Sequence, residues 1–228
     1  MSMLAANCLR VAAVCAGMLL SAAEGPGETR PATGGLVTLP APETAGGMSL
    51  TEALARRQSV RRFIAKALDD RQIGQLCWAA QGLTDPARGR RTAPSAGALY
   101  PLELYLVSAR GVEQYLPAQH ALRQHLQADL RRALSQAALG QEAIAEAPMC
   151  FVIAAVVSRS AGKYGERAER YCFLEAGHVA QNILLQATAL GLGGVPVGAF
   201  EDERVAAVLK LPAGQRVLYL VPVGWPEP

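Results

Sequence analysis

Ile73, Leu76, Cys77 and Ala80 recur at the three- and four-residue spacing of one helix face. Asp69 with Gln72 forms a capping box ahead of them and Gly82 stands where the helix should stop, so the pattern predicts one helix here. Another capping box, Ser49-Leu50-Thr51-Glu52, opens a shorter helix expected to end near Arg57. Leu104 to Val107 reads as a strand with Val112 to Leu116 as its hairpin return, whereas Thr84 to Thr92 reads as a polar, Arg-rich loop. Leu122, Leu126, Leu130 and Leu134 repeat every fourth residue and predict an amphipathic helix from Ala121 to near Gly140, followed by a short one from Gln141 to Glu146.

Met149 to Val157 is a continuous apolar run rich in β-branched residues, the signature of a central strand buried on both faces. A long helix from Gly165 to Ala189, another from Glu201 to Leu209 and a last buried strand from Val217 to Val223 complete the pattern. Strands and helices do not alternate as a doubly wound sheet requires, so the class is α+β.

The ends of the pattern set the domain boundaries. Residues 1–23 carry Arg10, the apolar run Val11 to Leu20 and the small residues Ser21-Ala22-Ala23, which predicts a signal peptide and export to the periplasm. A mis-set start codon on a cytoplasmic protein is the alternative. Residues 24–47, rich in Pro and Gly without an apolar period, are expected to form a flexible linker, leaving residues 48–228 as one folded domain.

Composition narrows the function classes. With 22 basic against 19 acidic residues, a net charge of +3 argues against nucleic acid as partner, and no segment after residue 23 reads as an integral membrane span. Cys77, Cys150 and Cys172 lack C-x-x-C spacing and sit in apolar patterns, so they read as buried thiols; His120, His125 and His178 lack metal-ligand spacing, so no metal is expected.

Chemistry concentrates in a few segments. Arg57-Gln58-Ser59-Val60-Arg61 offers two guanidiniums and a hydroxyl that, in a helix or tight turn, would share a face and suit a phosphate; the other reading is a solvated basic turn. Pro94-Ser95-Ala96-Gly97-Ala98-Leu99-Tyr100-Pro101 is a small-residue loop that lets backbone approach a flat ligand, or a plain proline turn before a strand. The glycines of Leu190 to Phe200 follow a helix instead of opening one after a strand, so they form no dinucleotide fingerprint, and Gly191 reads as a helix stop. Glu175, His178 and Asn182 make a polar stripe on an otherwise apolar helix, either a buried network or interface seam, or a pocket wall. Lys163-Tyr164-Gly165 is placed in a loop among Arg159, Arg167 and Arg170, where a desolvated Lys could act as a base with Tyr as relay; an ordinary surface lysine is the alternative.

From about Ser49 to Gly224 these segments resemble the nitroreductase superfamily of FMN enzymes. Within it, Ser95-Ala96-Gly97-Ala98-Leu99-Tyr100-Pro101, Lys163-Tyr164-Gly165 and Glu175-Ala176-Gly177-His178 are similar to the SagB-type dehydrogenases, which include thiazole and oxazole oxidases of peptide maturation. The resemblance implies a central, mostly antiparallel or mixed sheet flanked by helices, and a homodimer with FMN at the subunit interface. It assigns Arg57, Gln58, Ser59 and Arg61 to the flavin ribityl and phosphate, and Pro94, Ser95 and Ala96 to the flavin of the other subunit. Pro196, Val197, Gly198 and Ala199 would lie along the ring with a main-chain amide toward N5, where a donor tunes the reduced state.

Lys163 and Tyr164 would be the catalytic pair, with Tyr100, Glu175 and His178 lining the substrate pocket. Ala98 and Tyr100 depart from ordinary nitroreductases, which usually carry Asn and Gln there, and favour the SagB-type branch. The basic C-terminal extension of ordinary nitroreductases is not found beyond Gly224, which leaves the phosphate to Arg57 and Arg61, or to these with help from a residue such as Arg91. The implied function is hydride transfer between flavin and substrate, with an azoline or similar heterocycle in a small molecule or peptide as the substrate class. An NAD(P)H-dependent nitro or quinone reductase and a non-catalytic flavin-binding subunit are the alternatives.

Overall fold

The computed structural model describes residues 35–228, so the expected signal peptide lies outside the described residues. The architecture is a seven-stranded antiparallel sheet between two sets of helices. Its strands are β1 (Leu36–Thr38), β4 (Leu102–Ser108), β5 (Gly111–Leu116), β6 (Ala121–Leu126), β7 (Met149–Val156), β8 (Gly193–Gly194) and β9 (Gln215–Gly224), in the order β1-β6-β5-β4-β7-β9-β8. A separate hairpin joins β2 (Leu83–Asp85) to β3 (Arg90–Arg91), where the sequence suggested only a loop. The helices are α1 (Leu50–Arg56), α2 (Asp70–Gln81), α3 (Arg131–Ala137), α4 (Glu142–Glu146), α5 (Ser158–Tyr164), α6 (Ala168–Ala189) and α7 (Asp202–Val208).

Alternation along the central strands builds two cores, one on each face of the sheet. Leu104, Leu106, Phe151 and Ile153 pack under α2 and α6 with Ile73, Leu76, Val179 and Ile183. Tyr105, Val107, Cys150 and Val152 face the other way, against Leu134, Ile144, Val205 and Leu209 of α3, α4 and α7. Each such side chain contributes about 1.5–3 kcal/mol of burial. β7 lies between β4 and β9, as its continuous apolar run requires.

Local signals set the helix ends. Asp69 and Gln72 form the full reciprocal capping box, whereas at α1 Ser49 accepts from the Glu52 amide at 3.2 Å while the Glu52 carboxylate turns to Arg56, 2.6 Å away. α6 closes at Gly191, whose φ of 73° lets its amide reach Thr188 O and the Leu192 amide reach Ala187 O, a Schellman stop.

Three expectations are corrected. The helix expected from Ala121 begins only at Arg131, because residues 121–126 are β6. A spacing of four satisfies both a helix and a strand, and His125, the extra residue of a bulge opposite Val112 and Glu113, flips Leu126 to the opposite core from Leu122. The expected linker contributes β1 and buried Leu39: Leu36–Thr38 pair with β6, and His120 bridges Pro40 O and the Tyr115 hydroxyl, each at 2.9 Å. The long helix begins at Ala168, not Gly165, because α5 and a 3₁₀ turn over Gly165–Arg167 precede it.

Candidate functional site

The cationic segment is extended, not helical. α1 ends at Arg56, and Arg57 turns out of the helix at ψ 123° while its amide still bonds Ala53 O. Ser59 bridges to Gly194 in parallel sense and the Val60 amide donates to Gly194 O at 3.0 Å, so the segment runs beside β8. Val60 turns inward against the core, which leaves Ser59 and Arg61 on the outer side; side chains share a side here through the two-residue alternation of extended chain. Gly193 makes the approach possible, since a Cβ there would lie 2.5 Å from Val60 Cγ2.

Arg56 and Arg62 pair with Glu52 and Glu227, whereas Arg57 and Arg61 have no carboxylate partner among the described residues. Ser59, Gln58 and Arg61 are exposed and Arg57 is half-buried. Downstream of β8, Val197 exchanges hydrogen bonds with Leu220 at 2.8 and 3.0 Å, which fixes Pro196 and Val197 to the sheet. Gly198 and Ala199 then emerge at the surface, and their amides donate to no group among the described residues. The chain thus presents two cations, a hydroxyl and two open amides on neighbouring segments.

The small-residue loop forms a second group. Ala96–Ala98 is a 3₁₀ turn in which Gly97, Ala98 and then Tyr100 hold φ of 62°, 54° and 47°. For the two residues with a Cβ this costs about 1–2 kcal/mol each. Ser95 Oγ accepts from the Tyr100 amide at 2.9 Å, Arg159 donates to Tyr100 O at 2.8 Å, and the Tyr100 hydroxyl accepts from the Arg91 amide at 3.2 Å. The Arg91 guanidinium lies over the Tyr100 ring, 4.5 Å from its centroid, and donates to Gln81 Oε1 at 2.8 Å. Tyr100 is therefore a structural part of the turn, and Arg91 is held here and not with Arg57 and Arg61.

Lys163 and Tyr164 close the last turn of α5 and not a loop. They lie directly against the turn: a Cβ on Gly97 would meet Tyr164 Oη at 2.7 Å and Lys163 Nζ at 2.8 Å. Tyr164 packs edge-on against Tyr171 at 4.8 Å. The expected crowd of like charges is thinner than the sequence suggested, because Arg159 pairs with Glu103 at 2.7 Å and Lys163 itself is exposed.

Glu175 is 3% exposed beneath the same turn. Burial pushes its carboxyl pKa up, while Ser95, Gln81 and the Arg91 and Arg159 charges pull it back. Gln81 Nε2 and Glu175 Oε1 nonetheless stop short of a hydrogen bond, at a cost of about 1–3 kcal/mol for each group. His178 does not join this cluster: it is exposed on α6, while Asn182 bonds Ala79 O at 3.0 Å on the buried side. Sequence reasoning missed the contribution of Gln81, which is buried at the end of an apolar helix face, and of Glu103. Neither carries a local signal.

Among the described residues, no hydrogen bond or ion pair links the Arg57–Arg61 and Gly198–Ala199 group to the Ser95–Tyr100 and Lys163–Tyr164 group. Among the described residues no cluster of His, Cys, Asp or Glu could hold a metal, and no helix is long and apolar enough to cross a membrane. Among the described residues, Cys77, Cys150 and Cys172 are buried and free, with the Cys150 thiol pushed up to about 12 by burial.

Comparison with known proteins gives the class of this antiparallel α+β fold. Residues 54–225 match the model of the nitroreductase family. The Methanocaldococcus jannaschii protein MJ1384, which carries a nitroreductase name, is 43% identical over 184 residues, 78% of this chain and 91% of its own length. A solved structure from Ralstonia eutropha with the same kind of name aligns at a TM-score of 0.78 and 29% identity, covering 85% of this chain and 90% of the other. The Escherichia coli microcin B17-processing protein McbC is 29% identical over 157 residues, 63% of this chain and 57% of its own. The chain belongs to the nitroreductase family of oxidoreductases.

Proposed function

We propose that this chain is an FMN-dependent dehydrogenase of the SagB type, a homodimer that oxidises an azoline or similar heterocycle in a small molecule or peptide. The observation that carries the reading is the packing of Lys163 Nζ and Tyr164 Oη against the Gly97 turn; on this reading they are a base and a relay beside the loop that approaches the flavin. The likeness to McbC supports the same branch.

The residues present fit FMN. Arg57 and Arg61, which pair with no carboxylate among the described residues, would hold the phosphate, with Ser59 as a further donor and Gln58 toward the ribityl chain. The open Gly198 and Ala199 amides, on the segment that begins at Pro196, offer donors to the ring. When bound, FMN supplies a two-electron hydride acceptor. Pro94, Ser95 and Ala96 close over the ring from the partner subunit. Lys163 takes the substrate proton and Tyr164 orients it, so that proton removal and hydride loss occur on the same molecule.

The test is anaerobic stopped-flow absorbance of the flavin-loaded dimer mixed with a thiazoline peptide or with NADPH. Bleaching by the peptide that Lys163→Ala slows about a hundredfold, with FMN still bound, supports the dehydrogenase. Rapid bleaching by NADPH alone favours a nitro or quinone reductase. Bound flavin that neither reagent reduces, with Lys163→Ala unchanged, favours a non-catalytic subunit.

A further inference from the structure

Three buried side-chain polar atoms that make no hydrogen bond among the described residues lie in one place: Gln81 Nε2, Arg91 Nε and Glu175 Oε1. They come from α2, β3 and α6, and Ser95, Gln81 and Arg91 all act on the Glu175 carboxyl. Buried polar groups are ordinarily paired, and proteins leave such shortfalls mainly where function needs them. Here Arg91 is fixed on Gln81 Oε1 and over the Tyr100 ring, while Ser95 Oγ already accepts from the Tyr100 amide. The Ser95 hydroxyl proton must therefore point elsewhere, and the Glu175 carboxyl is the acceptor beside it.

We propose that Glu175 is a positioning residue: from inside the core it orients Ser95 and Arg91, and through them it clamps the Ser95–Tyr100 turn against Lys163 and Tyr164. The turn needs such a clamp. Ala98 and Tyr100 hold positive φ, a conformation that in a residue with a Cβ persists only where the surroundings over-determine it. Arg159, anchored on Glu103, holds the Tyr100 carbonyl from outside, and Ser95 at the base of the turn has the buried Glu175 carboxyl as its partner from the core. Glu175 thus acts through the turn and not on substrate, in contrast to the pocket wall expected from sequence. Its catalytic consequence rests on the proposed role of Lys163 and Tyr164; the clamp itself does not.

Hydrogen exchange on the full chain as purified, read by mass spectrometry on peptides covering residues 95–101, tests it without added flavin. Glu175→Ala should speed exchange in the turn about tenfold while the rest of α2 and α6 stay near wild type. Ser95→Ala should produce the same rise, and combining the two should add nothing. Glu175→Gln, which keeps an acceptor and the volume, should restore the slow rate. Where the Ala variant does not fold, Glu175→Met fills the space without an acceptor and decides the matter in the same way. Limited acetylation of Lys163 should rise in the variants that release the turn. An unchanged turn in Glu175→Ala or Glu175→Met, exchange raised equally along α2 and α6, or additive effects of Ser95 and Glu175 would overturn the clamp. A chain that binds no FMN would refute the proposed function and leave this result standing.

Discussion

Replacing Gly97 by Ala separates stability from function more cleanly than any other single change in the site. The new Cβ would sit 2.7 Å from Tyr164 Oη and 2.8 Å from Lys163 Nζ, in a residue with φ of 62°. Forcing a residue with a Cβ into the left-handed region costs about 1–2 kcal/mol, which for a domain of this size lowers Tm by about 2–8 °C. The steric term adds little to that, because both contacted atoms are tips of flexible side chains. They must nonetheless retreat by roughly 0.7 Å or more to reach ordinary van der Waals separation. Misplacement on this scale costs about tenfold to a hundredfold in rate when the displaced groups do chemistry. Thermal melts give the first number, and anaerobic reduction of the bound flavin by a thiazoline peptide gives the second. A variant with the lowered Tm and an unchanged rate would refute the reasoning, because it would show that the position of the Lys163 and Tyr164 tips does not matter.

Other consequences follow from the same geometry. Gly193→Ala places a Cβ 2.5 Å from Val60 Cγ2, and stiff β-branched Val60 can yield only by moving the Arg57–Arg61 segment; FMN affinity by fluorescence titration should fall about tenfold, with an overpacking cost of about 1–3 kcal/mol in urea melts. The Glu175 carboxyl titrates above its ordinary value, so the folded state binds its proton more tightly than the unfolded chain, and the wild type loses stability as pH rises from the usual carboxylate range through the folded pKa. Glu175→Gln should therefore be as stable as wild type or more so at pH 7, with the difference closing toward pH 4; a variant less stable at pH 7 and equal at pH 4 would reverse the assignment.

Much of the fold was legible because local signals and burial agree. Asp69 and Gln72 cap α2, Ile73, Leu76, Cys77 and Ala80 all point into the core, and the Met149 run is the strand between β4 and β9. β6 was hidden because leucines four apart fit two periods and the bulge at His125 breaks strand alternation. β1 was hidden because it is held by His120 and Tyr115, residues about eighty positions away that carry no local mark. At the candidate site, residue type singled out Arg57, Ser59, Arg61, Lys163 and Tyr164 as candidates, but not that the arginines sit on extended chain or that Gly97 packs against the Lys-Tyr pair. The partners of Glu175 come from α2, β3, α5 and the Ser95 turn, which only tertiary structure brings together.

The central claim is that the Arg57–Arg61 segment anchors FMN. An absorbance spectrum of the purified protein, before and after adding FMN and gel filtration, tests it directly beside an Arg57→Ala, Arg61→Ala double variant. The account predicts a bound yellow chromophore in the wild type that the folded double variant does not retain. A double variant that keeps its flavin, or a folded dimeric wild type that takes up none, would contradict it.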